Sequence, residues 1–397
     1  MKNIISLTLL LWSLQAHALD VEESSAHTLN TQKGPSIFHH LESGGRRSIA
    51  TSNNNVAVVW EDNSSGTNAV YYVYKKITAD NFSKPINLSA NTSAYSPVIN
   101  TFKDGFIVAW EQEETTRVIY IDLHGTIISA INLGSDQERQ ISFHYSKEEL
   151  VAAWVIGDFH RSDVVTATIS SDTKKSLQVN KRQIIDADSP KTLKAYPSIL
   201  NTGDSIIISW QDLRRGTNVI RYVRSTANNT YTEQKNINET IKKSDKYGHG
   251  SGVMRASLSR IDTDSIIAVW MDKRARKSGY EVFASISDDN GKRFGENIRV
   301  QDTFGDQLPQ WNANVVSDDS GKYIVLWNDS REGTQDICYS YMDEGEWSDD
   351  VMIDVASGAG DQYAPSAVFD NDGNIHLAWI NKVDDETSVK YVMLKTE

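Results

Sequence analysis

The sequence has one cysteine, few prolines and no long apolar run after its first residues. Its 397 residues contain Cys338 as the single Cys and seven Pro. One thiol excludes an intrachain disulfide framework and a CxxC metal site. Beyond residue 18, no apolar stretch approaches the roughly 18 residues that a membrane-spanning helix needs. We therefore expect no membrane span, no metal site and no cofactor.

Basic side chains are also in deficit. The chain carries 40 Lys and Arg against 53 Asp and Glu, which gives a formal net charge of −13 at pH 7. Such an acidic balance disfavours binding to nucleic acid and to anionic membranes. Aromatic residues are plentiful, with 16 Tyr and 10 Trp. No long stretch shows the 3.6-residue period of a helix, so the composition favours an all-β protein.

The first 18 residues have the three parts of an export signal. Lys2 supplies a positive charge, an apolar run extends from Ile4 to Trp12, and Ala16-His17-Ala18 forms an A-x-A cleavage pattern. The apolar run is short for a bilayer span. We expect residues 1–18 to be a cleaved signal peptide and the mature protein to be secreted or periplasmic.

The rest of the chain repeats one unit. Each unit contains a short apolar run that ends in tryptophan, at Trp60, Trp110, Trp154, Trp210, Trp270, Trp327 and Trp379. Successive tryptophans are separated by 50, 44, 56, 60, 57 and 52 residues. Other strand-like runs and turn-forming residues surround each tryptophan and give four short strands per unit. These seven units predict a seven-bladed β-propeller of four-stranded antiparallel blades.

The last unit lacks a fourth strand, and the N-terminus offers one. The chain from Val389 to Leu394 matches a third strand, whereas His27 to Asn30 resembles the fourth strand of other units. We expect this N-terminal strand to close the last blade, because pairing both termini removes open sheet edges. The predicted organisation is a signal peptide at 1–18, an N-terminal segment with the closing strand at 19–45, and one propeller domain at 46–397.

Residues that follow the tryptophans indicate a structural role. The pattern W-x-D ends at Asp62, Asp212, Asp272 and Asp329, and Arg214, Arg274 and Arg331 lie two residues beyond three of these. A catalytic group occupies a unique position, whereas this set recurs in several units. We interpret the Asp as a staple of the hairpin, paired with the nearby Arg.

One segment resembles a known family. Residues 287–294 read S-D-D-N-G-K-R-F and fit S-x-D-x-G-x-x-[WF], the Asp-box pattern of sialidase-like (BNR) propellers. The resemblance implies a propeller over about residues 46–397 and a structural role for Ser287, Asp289, Gly291 and Phe294. Sialidases of this family open blade one with [FY]-R-I-P. The nearest segment here, Gly45-Arg46-Arg47-Ser48-Ile49, lacks the aromatic residue and the proline, which argues against sialidase activity.

Counting back from each tryptophan gives candidates for a ligand site. The loops that lead into the inner strands ring one face of a propeller, here called the mouth, where ligands commonly bind. Arg and Tyr alternate 14–16 residues before most tryptophans, and Gln310 or Trp311 holds this place in unit six. The candidate binding residues are Arg46, Arg47, Tyr95, Arg139, Tyr196, Arg255, Gln310 and Tyr363. Arg suits carboxylate or sulfate and Tyr offers a stacking face, although both types also serve to start strands or pack between blades.

The predicted function is noncatalytic recognition of a glycan or protein ligand, including an anionic one, at the mouth. One alternative is an enzyme, either a sialidase-like glycoside hydrolase or a polysaccharide lyase acting on acidic sugars. The order of His144, His160, Tyr196 and Arg214 resembles that of propeller polysaccharide lyases, in which a His or Tyr removes the C5 proton. A third alternative is a scaffold in an envelope or secreted assembly. The Asp-rich turns at Asp318 and Asp370 lack a terminal Glu ligand and indicate hairpins, not calcium loops.

Overall fold

The chain forms seven antiparallel sheets arranged as the blades of a propeller. The structure is a computed structural model. It describes residues 21–90, 92–134, 136–158, 160–186, 192–214, 217–228, 230–239, 252–274, 279–302, 308–343 and 345–396, without the side chains of residues 214, 217 and 343. The all-β, seven-bladed fold predicted from the tryptophan repeat is confirmed. A single 3₁₀ turn at Asp354–Ala356 interrupts the strands of the described ranges.

Strands are numbered in chain order, and each blade is built outward from the propeller axis. The inner strands are β4 (Ile49–Ser52), β8 (Tyr95–Phe102), β12 (Arg139–Ser146), β16 (Leu193–Asn201), β20 (Val253–Arg260), β24 (Trp311–Ser317) and β29 (Asp361–Phe369). The second strands are β5 (Asn55–Asp62), β9 (Gly105–Gln112), β13 (Glu149–Gly157), β17 (Ile206–Arg214), β21 (Ile266–Asp272), β25 (Tyr323–Asp329) and β30 (Ile375–Val383).

The outer half of each blade follows the same order. The third strands are β6 (Ala69–Lys76), β10 (Thr115–Ile121), β14 (Ser162–Ser171), β18 (Thr217–Arg224), β22 (Glu281–Ser287), β26 (Asp336–Asp343) and β31 (Glu386–Thr396). The outermost strands are β7 (Ile86–Asn87), β11 (Ile127–Asn132), β15 (Leu177–Ile184), β19 (Lys235–Asn236), β23 (Ile298–Arg299) and β28 (Val351–Met352). The remaining short strands are β1 (Val21–Glu23), β2 (His27–Thr28), β3 (His39–His40) and β27 (Glu346–Trp347).

The tryptophans of the repeat form the core between neighbouring blades. All seven are buried, and Trp60, Trp154, Trp210, Trp270 and Trp327 have no exposed surface. Trp154 of blade three, for example, belongs to one apolar cluster with Val98 and Tyr120 of blade two. Truncating a buried Trp to Ala typically costs about 3–5 kcal/mol. The repeated residue therefore holds the ring together by joining adjacent blades.

The Asp two residues after the tryptophan is a hairpin staple, as predicted. The indole Nε1 of Trp60 donates to Asp62 at 2.7 Å, and Trp270 and Trp327 donate likewise to Asp272 at 3.1 Å and Asp329 at 3.3 Å. Arg274 and Arg331 each place a guanidinium nitrogen 2.6 Å from the same carboxylate. A buried donor thus gains a charged acceptor, which strengthens the hydrogen bond.

The predicted Asp-rich turns have the geometry of hairpins. Asp318 Oδ1 accepts the backbone N–H groups of Ser320 and Lys322, and Asp370 Oδ1 accepts those of Asp372 and Asn374. Each carboxylate therefore satisfies the amides of its own loop, as an Asx turn does.

The segment from Ser287 to Phe294 forms a comparable turn. Ser287 Oγ accepts the amide of Gly291 at 2.9 Å and donates to Asp289 at 2.9 Å, while Asp289 accepts the amide of Arg293. Phe294 packs edge-on against Tyr222 of the preceding blade, with ring centroids 5.0 Å apart. These residues are structural, as their pattern predicts.

The N-terminus completes the last blade, as predicted. Strand β2 pairs with β31 at His27↔Tyr391, and β1 extends the same edge at Val21↔Thr396. Beyond β2, the amide of Leu29 donates to the carbonyl of Val389 at 2.9 Å. The prediction located β2 and missed β1, whose sequence of three residues carries little strand pattern. Together the two strands cover the edge of β31, which removes an unpaired row of backbone groups.

Blade one differs from the others at the axis. Its inner position is divided between β3, which pairs with Asp62 and Glu61, and β4, which pairs with Val58 and its neighbours. Residues 41–47 between them leave the sheet and cross the propeller axis, and we call this segment the plug. Because β3 lies in the sheet of blade one, this blade begins before residue 46, the predicted start of the propeller.

Backbone atoms of the plug contact the blades on the far side of the axis. A Cβ on Gly45 would lie 2.4 Å from Ser198 Cβ and 2.8 Å from the Ala256 carbonyl oxygen. The carbonyl of Gly45 accepts a hydrogen bond from Ser142 Oγ at 2.8 Å, and Ser43 Oγ donates to Asn312 at 3.3 Å. The plug therefore touches inner strands of blades three to six, and it closes the axis at the mouth.

No helix in the part of the chain that the structure describes has the length and apolar character needed to cross a bilayer.

Deleting residues 19–33 should lower the melting temperature far more than a surface substitution does, because the deletion exposes the edge of β31. Thermal unfolding followed by circular dichroism measures the effect. Glu22→Ala is the matched control, since it removes only the exposed Lys395–Glu22 ion pair of 3.2 Å and keeps the backbone pairing. Equal melting temperatures for the deletion and the wild type would contradict strand closure by the N-terminus.

Gly45→Ala should destabilise the fold by about 1–3 kcal/mol or more, because the added methyl meets backbone of blade five that cannot move aside. Gly34→Ala is the control, since its Cβ would meet only Ile37 Cδ1 at 3.9 Å. Urea unfolding measures both variants. If Gly45→Ala unfolds at the wild-type urea midpoint, the axis is not filled by the plug.

Candidate functional site

The mouth is lined by the residues at which the inner strands begin. In six blades, one inner-strand residue pairs with the residue after the tryptophan and is followed by a two-residue bulge. In blade one, His40 holds the equivalent place because it pairs with Glu61. The ring of equivalent residues is His40, Tyr95, Arg139, Ala195, Met254, Trp311 and Tyr363.

The ring corrects the predicted register at several candidates. Tyr95, Arg139 and Tyr363 occupy it, whereas Tyr196 and Arg255 lie one residue later, inside the bulge. These two adopt positive φ angles of 51° and 51°. Counting back from the tryptophan missed this difference because it cannot detect a bulge. In unit six the ring position is Trp311, the alternative to Gln310, since Trp311 pairs with Asn328.

Gln310 is buried next to the ring. Its side chain accepts from Gln301 at 3.4 Å and donates to the Asp329 carboxylate at 3.4 Å. These contacts place Gln310 in the hairpin staple of blade six, away from the surface of the mouth. Whether any of the candidates binds a ligand stays a prediction.

The bulges are held by side chains of neighbouring blades. The amide of Ser96 donates to Glu61 Oε2 at 2.8 Å, and the amide of Gln140 donates to Glu111 Oε1 at 2.9 Å. The amide of Tyr196 donates in the same way to Gln140 Oε1 at 2.8 Å. An amide left out of the ladder by a bulge needs such an acceptor. The residue after the tryptophan in blades one and two is therefore both structural and at the mouth.

Arg46 lies in the plug and is surrounded by acceptors. Its guanidinium is 2.9 Å from Glu42 and 3.6 Å from Glu111, and it donates to the carbonyls of Ile141 at 3.1 Å and Ser96 at 3.2 Å. The side chain is 4% exposed. Its donors are thus used by blades two and three and by the plug itself, so Arg46 fixes the floor of the mouth.

The carboxylates around Arg46 differ in their protonation. Burial raises the pKa of Glu42, but Arg46, a hydrogen bond from His40 and the charge of Arg255 outweigh it and hold that pKa well below its usual range. Burial raises the pKa of Glu111, and Arg46 and the Gln140 amide offset this only in part. The Glu111 side chain is 25% exposed, so a proton-donating carboxyl group faces the mouth.

Tyr196 and Arg255 form a second unit at the mouth. The Arg255 guanidinium lies 4.4 Å from the centroid of the Tyr196 ring, and its NH2 donates to the Tyr196 hydroxyl at 3.4 Å. Both side chains are half-buried. Stacking on an aromatic face orients a guanidinium without neutralising it. This pair is the closest match in the structure to the predicted arginine and tyrosine platform.

The other two arginine candidates have different surroundings. Arg139 donates to the carbonyls of Gly157 and Asp158, at the end of its own hairpin. Arg47 is the last residue of the plug, and its carbonyl accepts the amide of Ile99 at 2.9 Å. The structure therefore does not bring all of the predicted arginines into one pocket.

An open groove lies between blades six and seven at the mouth. It is lined by Trp311, Asn312, Gln335, Asp361, Tyr363 and Lys382, and its volume is about 420 Å³. The Trp311 ring packs on Tyr280, with centroids 4.7 Å apart, and both ring residues of the groove are half-buried. Gln335 is positioned by its amide, which donates to Asp361 at 3.1 Å. The groove combines two aromatic side chains with amide, carboxylate and ammonium groups.

The four lyase-like candidates do not meet in one site. His144 pairs with Val151, whereas His160 follows the far end of the same hairpin, three residues after Gly157. Six residues of extended strand separate Val151 from Gly157, which is about 20 Å. His144 lies within the axis, and His160 is exposed at the mouth, where its amide donates to Asp158. Tyr196 stacks on Arg255, and the side chain of Arg214 lies outside the described residues.

His40 and Trp311 are the site residues that the sequence argument passed over or left as an alternative. His40 escaped because the plug adds residues between the ring position and Trp60. The His39-His40 pair beside Leu41 was the available signal. Within the described ranges, no group of three or more His, Cys, Asp or Glu side chains is arranged to hold a metal ion.

No protein-family model and no curated protein matches the chain. Solved structures with a similar fold include the polysaccharide lyase Uly1, with 11% identity over 88% of this chain and 90% of that chain and a TM-score of 0.56. An α-L-arabinanase from Penicillium chrysogenum is 11% identical over 94% and 98% of the two chains, with a TM-score of 0.51. The α-L-arabinofuranosidase Arb93A from Fusarium graminearum is 12% identical over 76% and 94%, with a TM-score of 0.51. At this identity the likeness shows the fold alone.

Proposed function

We propose that the protein binds a glycan at the mouth, with the groove between Trp311 and Tyr363 as the principal subsite. The groove itself is the observation that carries this proposal. Its volume of about 420 Å³ lies within the range of small-ligand pockets. Its two aromatic rings belong to neighbouring blades, so a ligand that spans both also bridges the two blades.

The chemistry of the groove suits a saccharide. A sugar ring has an apolar face of C–H groups, which an aromatic ring covers, and a rim of hydroxyl groups, which need donors and acceptors. Asn312 and Gln335 supply amides, Asp361 a carboxylate and Lys382 an ammonium group. Lys382 makes no ion pair within 4.0 Å in the described ranges and is therefore available to a hydroxyl or an acidic substituent.

The rest of the mouth extends the same surface. Tyr95 is 42% exposed and the His40 side chain is 41% exposed, on the opposite side of the plug from the groove. Because the plug closes the axis, a ligand rests on a floor and does not enter a tunnel. The propeller neighbours named as a polysaccharide lyase and an α-L-arabinanase support a carbohydrate ligand.

Export is part of the proposal and rests on residues 1–18 alone, which lie outside the described residues. An extracellular or periplasmic location would bring the mouth into contact with polysaccharides. Membership of the sialidase-like family is likewise a prediction, based on the Asp-box pattern of residues 287–294.

Trp311→Ala and Tyr363→Ala should each weaken glycan binding at least tenfold, about 1.4 kcal/mol, because each removes one stacking face. Glycan-array screening of the mature protein identifies the ligand, and isothermal titration calorimetry measures the loss. Tyr145→Ala is the matched control, since Tyr145 lies near the opposite end of inner strand β12. Wild-type affinity in both groove variants, or a protein as the only ligand recovered, would overturn the proposal.

Hydrolysis of the bound glycan is a second candidate function, and Glu111 is the observation that favours it. This carboxyl group is accessible from the mouth, its pKa is raised by burial, and Arg46 joins it to the ionised Glu42. A glycoside hydrolase uses one protonated and one ionised carboxyl group. Glu111 would donate the proton to the leaving oxygen, and Glu42 would be the ionised partner.

Glu111→Gln should reduce hydrolysis at least about 100-fold while glycan binding persists, because Gln cannot donate a carboxyl proton. Gln keeps an oxygen for the Gln140 amide, so the bulge is preserved. Reducing-end assays on the array ligand measure the rate, with the exposed Glu113→Gln as control. Activity should fall as pH rises through the raised pKa of Glu111, since the acid must be protonated. No turnover by the wild type, or an unchanged rate in Glu111→Gln, would leave recognition as the function.

A further inference from the structure

The axial channel below the plug carries charged side chains from four blades. We call them the axial cluster: Arg47, His144, Arg260 and Asp319. Arg47 ends the plug, His144 lies within inner strand β12, and Arg260 ends inner strand β20. Asp319 lies in the turn after β24, at the face opposite the mouth. Inner strands from different blades face one another only across the axis, so these residues share the channel.

Their mutual influence confirms that they are close. Arg47 and Arg260 both lower the pKa of His144, and both act on the carboxylate of Asp319 in the opposite sense to burial, which raises its pKa. A neighbour affects a pKa in this way only at short range. Arg47, His144 and Arg260 are half-buried, which places them on the wall of the channel instead of in the packed core.

Neither guanidinium is neutralised by the protein. In the described part of the chain, Arg47 makes no side-chain hydrogen bond and no ion pair within 4.0 Å. Arg260 donates through Nε to the carbonyl of Asp262 at 2.8 Å, and its charge also lacks an ion pair at that distance. A guanidinium held inside a protein without an anionic partner is costly. Arg46, by contrast, has two carboxylates within 4.0 Å.

His144 adds a polar group without a partner. Its Nδ1 is buried and makes no hydrogen bond among the described residues. Burial and the two arginines lower its pKa to about 3, so the ring is neutral and carries one N–H donor. The cluster therefore has two positive charges, one negative charge on the exposed Asp319, and several unused donors.

We propose that the axial cluster binds a small inorganic anion between the guanidinium groups of Arg47 and Arg260, with the ring of His144 beside it. Arginine is suited to oxyanions and halides because its donors form a planar fork. The plug closes the mouth end, so the anion enters from the opposite face, past Asp319. This site is independent of the glycan groove, and it supplies the charge that Arg47 lacks.

Occupancy should stabilise the fold, because Arg47 belongs to the plug and the anion binds only the folded ring. The test measures the melting temperature as potassium chloride replaces potassium gluconate at constant ionic strength, with phosphate as a second probe. The wild type should show a saturable rise of several degrees. Arg47→Gln and Arg260→Gln should lose the rise. Arg293→Gln should keep it, since the Arg293 side chain is 83% exposed and lies in a distant turn.

Crystals soaked in sodium bromide give a readout that does not depend on variant stability. An anomalous peak within hydrogen-bonding distance of Arg47 and Arg260 is the expected result. The proposal is overturned if the channel holds only water at high bromide concentration. It is also overturned if the wild type and Arg260→Gln respond equally to chloride, which would show a general salt effect. Should Arg47→Gln fail to fold, Arg260→Gln and the bromide peak still decide the matter.

Discussion

Close approach of backbone at the axis is the constraint on which the rest of this propeller depends. Seven inner strands converge there, and the chain fills the remaining space with its own backbone at Gly44 and Gly45. Only a residue without a Cβ fits against Ser198 and the Ala256 carbonyl. The contact divides the axis into a closed mouth, where ligands meet a floor, and a blind channel that opens on the other face. Both candidate sites owe their shape to it.

The charges near the axis have different tasks on the two sides of the plug. Arg46 is satisfied by Glu42, Glu111 and backbone carbonyls, and it serves to hold the floor of the mouth. Arg47, the next residue, points away from these carboxylates and lacks such partners. Adjacent side chains of an extended chain face opposite directions, which explains why two neighbouring arginines acquire such different environments. Recognition at the mouth is therefore left mainly to the aromatic residues of the ring.

The fold was predictable because its information is repeated. Each tryptophan restates the same apolar strand, and Asp62, Asp272 and Asp329 restate the same staple, so one ambiguous unit does not alter the result. The site was less predictable because it arises where units differ. Linear counting placed Tyr196 and Arg255 in the ring, although a bulge shifts them by one residue. It also missed His40, since the plug lengthens blade one. His144 and His160 are close in sequence, but a hairpin sends them to opposite ends of a blade.

Closure of the ring links the two ends of the chain in time as well as in space. Strands β1 and β2 are made first and find their partner only in β31, which is made last. Every blade before the last can form from residues near one another in sequence, but the ring itself cannot shut until synthesis has passed residue 391. A chain that stops early keeps an open ring and unpaired N-terminal strands. Such products expose the backbone groups that quality-control proteases and chaperones recognise, so the topology lets a cell distinguish finished molecules from interrupted ones.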